Sequence, residues 1–139
     1  MIGRISPRVV LRSPEVKGVG WVQEPSADIG TELLFENDLV RVWEMRLEPG
    51  QTMPYHVHRS DYVIVYVTPS RIAFMETPGK VTATQDYQDG YVNYVSVPKD
   101  IAHQIRNEAA TEHRQILVEF KTLKGHGMSG NNGRVSRPI

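Results

Sequence analysis

The chain of 139 residues contains no cysteine. That removes disulfides, thiolate nucleophiles and cysteine-ligated zinc or iron–sulfur centres together, and leaves histidine and carboxylate to carry any metal chemistry. Net charge is missing too. Sixteen Lys and Arg balance sixteen Asp and Glu, so neither a nucleic-acid backbone nor an anionic membrane is expected as the main partner. No apolar run approaches the roughly 20 residues that span a bilayer; the longest runs from Tyr62 to Val67. Arg4, Pro7, Arg8, Arg12 and Pro14 interrupt the apolar residues near the N-terminus, which breaks the h-region of a secretory signal and makes a cytoplasmic location the expectation. Amphipathic helical periodicity, internal repeats and dividing linkers are also absent, so this length implies one domain with a core of its own.

What fills the chain instead is strand texture. Leu39, Arg41, Trp43, Met45 and Leu47 alternate with Val40, Val42, Glu44 and Arg46, a period of two. Short segments of this kind are expected at 31–35, 39–47, 52–58, 61–68, 71–76, 81–84, 91–97, 102–106 and 114–121. Turn residues punctuate them: Pro49-Gly50 reads as a hairpin into 52–58, Thr77-Pro78-Gly79-Lys80 as a second hairpin, and Asp89-Gly90 as a turn. Many short strands without helices indicate an all-β sandwich or barrel. In 61–68, Val63, Val65 and Val67 alternate with Tyr62, Ile64 and Tyr66, so both faces are expected to be covered. One face is assigned to the barrel interior; the aromatic face, Tyr62 and Tyr66, is assigned to the N-terminal arm or a subunit contact. Residues 1–30 read as an extended arm on the barrel or a partner, 31–122 as the barrel, and 123–139 as a flexible glycine-rich tail.

The stretch Gly50-Gln51-Thr52-Met53-Pro54-Tyr55-His56-Val57-His58 stands out. Residues two apart on a strand share a face, so His56 and His58 present two imidazoles to one spot. A transition metal needs at least three protein donors, and the best third one is His103, in the segment 98–107. His113 and His126 lack such surroundings and are expected to be exposed. Asp61 shares strand parity with Val63 and could reach the pocket mouth as ligand, base or orienter of a histidine. Glu119 shares a face with Gln115 and Leu117 and is the second carboxylate candidate, against a plain outward-facing role.

The order Gly50, five residues, His56-Val57-His58, then Pro98, His103 and Asn107 resembles the two motifs of the cupin family. The resemblance covers about residues 31–122. It implies a cupin-type double-stranded β-helix (jelly-roll) barrel, here with an N-terminal extended arm, and it places His56, His58 and His103 as metal ligands. It also implies edge-strand pairing into a homodimer. Two departures stand out. The family's metal-binding glutamate falls at Tyr62 or Val63, and Asp100 stands where the family has a glycine, a substitution Asp tolerates because it visits positive φ.

Three neutral imidazoles leave a divalent ion's charge uncompensated and several coordination positions open, an arrangement that invites a small anionic substrate. The expectation is a mononuclear non-haem iron dioxygenase acting on a small organic acid or carbonyl compound, with Fe(II) favoured and Zn, Ni or Mn possible because imidazole suits all four. The alternatives are a Lewis-acid isomerase, lyase or hydrolase using Asp61 or Glu119 as base, and a binding module without turnover.

Overall fold

The structure is a computed structural model that describes residues 24–127 and 129–130; the expectations for 1–23 and 131–139 lie outside the described residues. Among the described residues nine strands form two antiparallel sheets: β1 (Glu32–Glu36), β2 (Val40–Leu47), β3 (Thr52–His58), β4 (Tyr62–Tyr66), β5 (Ser70–Met75), β6 (Ala83–Tyr87), β7 (Val92–Val95), β8 (Ile101–Asn107) and β9 (His113–Phe120). The larger sheet runs β1-β2-β9-β4-β7 and the smaller β3-β8-β5-β6. Among the described residues there is no helix. The two sheets face one another, and the core lies between them: Met45, Leu47, Ile72, Val97 and Leu117 are almost wholly excluded from water.

Each strand lies where the alternation puts one. The largest displacement is β6, four of whose five residues are exposed, so it carries no apolar alternation to be read. One connection differs from expectation. Pro49-Gly50 does not close a hairpin, because β2 pairs with β1 and β9 whereas β3 pairs with β8. The turn carries the chain from one sheet to the other. Gly50 takes φ +81° there, and its N–H donates to the Asn107 carbonyl at 2.8 Å, tying the crossover to the end of β8.

The faces of two strands also differ. On β4 the inward residues are Tyr62, Ile64 and Tyr66, each buried, while Val63 and Val65 face outward and are half-buried. The aromatic face therefore fills the barrel interior, where the valine face was expected. Tyr62 stacks on His58 and Tyr66 on Tyr87, both with centroids 4.1 Å apart. Large rings suit this wall because the space between the sheets has to be filled, and a valine reaches less far into it. On β9 the inward row is His113, Gln115, Leu117 and Glu119, all buried. His113, expected at the surface, is completely covered.

Both ends of the described chain pack on the barrel. Ser26 accepts from Val57 N–H and donates to the Tyr55 carbonyl, each at 2.9 Å, so the arm continues the smaller sheet beside β3, and Ile29 is fully buried. The described part of the tail also meets the barrel: Leu123 accepts from Asp61 N–H, and Gly130 exchanges two backbone bonds with Tyr94. Backbone groups make these contacts, which need no apolar side chains.

Candidate metal centre

β3 and β8 pair in a register that sets His56 opposite His103 and His58 opposite Ile101. Directly opposed residues of an antiparallel pair share a face, so His103 joins the two histidines already aligned along β3. The three rings sit 4.6–5.0 Å apart, centroid to centroid, at 75–87° to one another. One ring nitrogen from each lies within 4.8 Å of the others, and the Nε2 atoms of His58 and His103 are 3.1 Å apart. Ligand spacings of about 3 Å are what metal–imidazole bonds of about 2.0–2.1 Å produce around one ion.

The hydrogen bonding points the same way. His56 Nδ1 lies 2.8 Å from the Pro54 carbonyl, to which it can only donate, so its Nε2 carries the lone pair. That Nε2 is buried with no hydrogen-bond partner. A buried polar atom left unpaired costs about 1–3 kcal/mol, and here the orphan is aimed at the point where the other two rings converge. Burial is the main force on the ring pKa values: it pulls His56 down to about 4, against the opposing pull of the Pro54 carbonyl, and His103 down to about 3, helped by His56. His58 is pulled well below its ordinary value by burial and then by its two neighbours. All three are therefore neutral near pH 7, the form a metal takes up. The donor set fits a divalent transition metal.

Of the two positions open to the family's glutamate, Tyr62 lays its ring on His58 and Val63 faces outward, and no carboxylate stands in the described lining around the histidines. Asp61 is fully buried outside the cavity, where its two oxygens accept from the Tyr94 hydroxyl at 2.6 Å and from the N–H groups of Val97, Gly125 and His126 at 2.7 Å each. Burial raises its pKa, but these four donors outweigh that and hold it at about 2. The structure thus makes Asp61 a clasp for three chain segments, with no free oxygen for a ligand or base role. Glu119 likewise turns away from the histidines. One of its oxygens accepts from Trp43 Nε1 at 3.1 Å and Arg41 Nη1 at 3.4 Å, at a separate depression of about 380 Å³. Asn107 is structural: its amide donates to the Leu47 and Thr111 carbonyls and accepts from Ala109 N–H. Asp100 needs no special backbone, since no described residue other than glycine has positive φ; it pairs instead with Lys124 at 2.8 Å.

In front of the histidines lies a cavity of about 220 Å³, smaller than the roughly 300–1,000 Å³ of drug-sized pockets. Its described lining is aliphatic and aromatic apart from the histidines, three tyrosines, Asn93 and Gln115, and contains no charged side chain. Asn93 and Gln115 are the polar residues that the sequence reading did not single out. The one available signal was parity: Gln115 shares its face with Leu117, and Asn93 interrupts the apolar strand Val92–Val95.

No family model matches the chain, and a search of curated proteins finds no relative. Solved structures do match. A cupin domain from Bordetella pertussis Tohama I is 30% identical over 73% of this chain and 99% of its own, with a TM-score of 0.58. A cupin-family protein with a double-stranded β-helix fold from Methanocaldococcus jannaschii covers 81% of this chain and 93% of its own at 16% identity and a TM-score of 0.51, a likeness of fold. Sheet order, the paired histidine strands and the similarity to the Bordetella domain over nearly its whole length converge: this chain belongs to the cupin family.

Proposed function

We propose that the protein is a metal-dependent oxidoreductase of the dioxygenase type, holding one Fe(II) on His56, His58 and His103 and acting on a small organic acid or carbonyl compound. The observation that carries this reading is the absence of a base from the described cavity lining. Lewis-acid isomerases, lyases and hydrolases need a group to move a proton. Here Asp61 and Glu119 are engaged elsewhere, and the histidines would be taken up as ligands by a bound ion. The tyrosines keep their protons at neutral pH, because burial pushes the hydroxyls of Tyr62, Tyr66 and Tyr87 upward, so none is free to accept one. Oxidation of a substrate that chelates the metal makes no such demand on the protein.

A bound ion would supply charge to attract an anionic substrate oxygen and, if redox-active, electrons for dioxygen chemistry. The chain's own residues do the rest. Pro54 fixes the tautomer of His56, Tyr62 shields one face of His58, and the aliphatic walls exclude water from the substrate.

The test begins with metal content by mass spectrometry on protein purified without chelators, for wild type, His56→Ala and His103→Ala. Near-stoichiometric iron lost in both variants, followed by oxygen uptake with a panel of small acids and 1,3-dicarbonyl compounds, is the expected result. Product formed under nitrogen by zinc-loaded protein would move the reading to Lewis-acid chemistry. Metal content that the substitutions leave unchanged would remove the site.

A further inference from the structure

The cavity has a second polar end. Along β4 the inward positions run Tyr62, Ile64, Tyr66; Tyr62 stacks on His58, Ile64 is paired with Asn93, and Tyr66 is paired with Gln115. Asn93 and Gln115 therefore stand about 7 and about 13 Å beyond the Tyr62 level, measured along the strand. Gln115 is 3% exposed, and one end of its carboxamide is occupied: Oε1 lies 2.7 Å from His113 Nε2, while His113 Nδ1 lies 2.7 Å from Ser70 Oγ. His113 is wholly buried and lies outside the cavity lining. Gln115 lines the cavity, and His113 is the one described residue hydrogen-bonded to its amide. Asn93 Oδ1, also on the lining, is a buried acceptor with no partner.

From this we infer that Asn93 and Gln115 select the substrate, receiving a neutral hydroxyl, or a comparable O–H or N–H group, at the end remote from the metal. The inference rests on the reading of the histidine cavity as a substrate site. An orphan acceptor requires a donor and disfavours a second carboxylate, and no Lys or Arg in the described lining could compensate one. A hydroxyl both donates and accepts, so it can give its proton to Asn93 Oδ1 or take one from the unoccupied end of the Gln115 amide. The substrate class is thus a small monoacid with an apolar middle and an uncharged polar tip. His113 is a positioning residue, holding the Gln115 amide in place from behind.

The probes are phenylacetate, 4-hydroxyphenylacetate and 4-carboxyphenylacetate, titrated calorimetrically into metal-loaded protein. The hydroxyl compound is expected to bind up to about tenfold more tightly than phenylacetate, the range of one neutral hydrogen bond, and the dianion is expected to bind most weakly. In Gln115→Leu, Asn93→Leu and His113→Phe the hydroxyl preference shrinks while phenylacetate affinity and metal content stay; a merely structural role would lower both affinities together. Melting temperature identifies a variant that has not folded, and the remaining two then decide. A preference that survives all the folded variants, a dianion bound as tightly as the hydroxyl compound, or no binding of any probe to fully metal-loaded wild type would overturn the inference. Protein that takes up no metal would instead overturn the metal reading beneath it.

Discussion

Asp61 shows how much one side chain can organise when every lone pair is used. Its carboxylate gathers a tyrosine hydroxyl from β7, an amide beyond β7 and two amides of the C-terminal segment. Asp61→Asn keeps the shape but puts an NH₂ group where an oxygen faced N–H donors, so at least one donor meets another donor in a buried site. The expected cost is about 2–4 kcal/mol in urea unfolding, with metal content unchanged because the histidines are untouched. Acid titration adds a second check. The folded pKa of about 2 lies below the ordinary 3.8, so this carboxylate stabilises fully above pH 3.8 and the contribution fades as pH falls toward 2. Asp61→Asn should lose that acid-sensitive component.

At the level of elements, the C-terminal segment is seated by glycine. Gly125 has φ +71°, and a Cβ there would lie 2.8 Å from Pro98 Cα and 2.9 Å from Pro98 Cβ, whereas one on Gly127, at φ +69°, would meet nothing within 4 Å. Gly125→Ala should therefore cost more than the roughly 1 kcal/mol of backbone strain that both substitutions share, and should speed hydrogen exchange at Val97, Gly125 and His126. Gly127→Ala should leave exchange at Val97 near wild type. None of this clasp was legible beforehand, because it is made of backbone amides that any sequence possesses and an aspartate with no local partner. The strands were legible, since alternation in segments such as Leu39 to Leu47 is a local property, and so was His56-Val57-His58 with its distant partner His103. Alternation names two faces without saying which is inside, so it does not tell the Tyr62 and Tyr66 face from the valine face; His113 lies outside the metal motifs, and nothing local to it marks it as buried.

For the molecule as a whole, metal and protons act on stability through the same three rings. In the unfolded chain their pKa returns to about 6.5, while in the fold His56 stays neutral to about pH 4 and His103 to about pH 3. Between pH 6.5 and 4 the unfolded state binds more protons, so the metal-free protein must lose stability as pH falls, by up to about 1.4 kcal/mol per pH unit for each such ring. His113, also lowered by burial, adds to the same slope, and substituting His56 or His103 should flatten it. Metal binding should behave differently. Its ligands are already neutral in the fold, so the affinity for folded protein has no protonation to overcome above about pH 4, and metal at 100 times its dissociation constant should add about 2.7 kcal/mol at pH 7 and at pH 5 alike. Urea unfolding with and without metal at both pH values checks this. A metal increment that falls away below pH 6.5 would mean that the rings titrate as exposed histidines do, and that the buried, preorganised centre described above does not exist in solution.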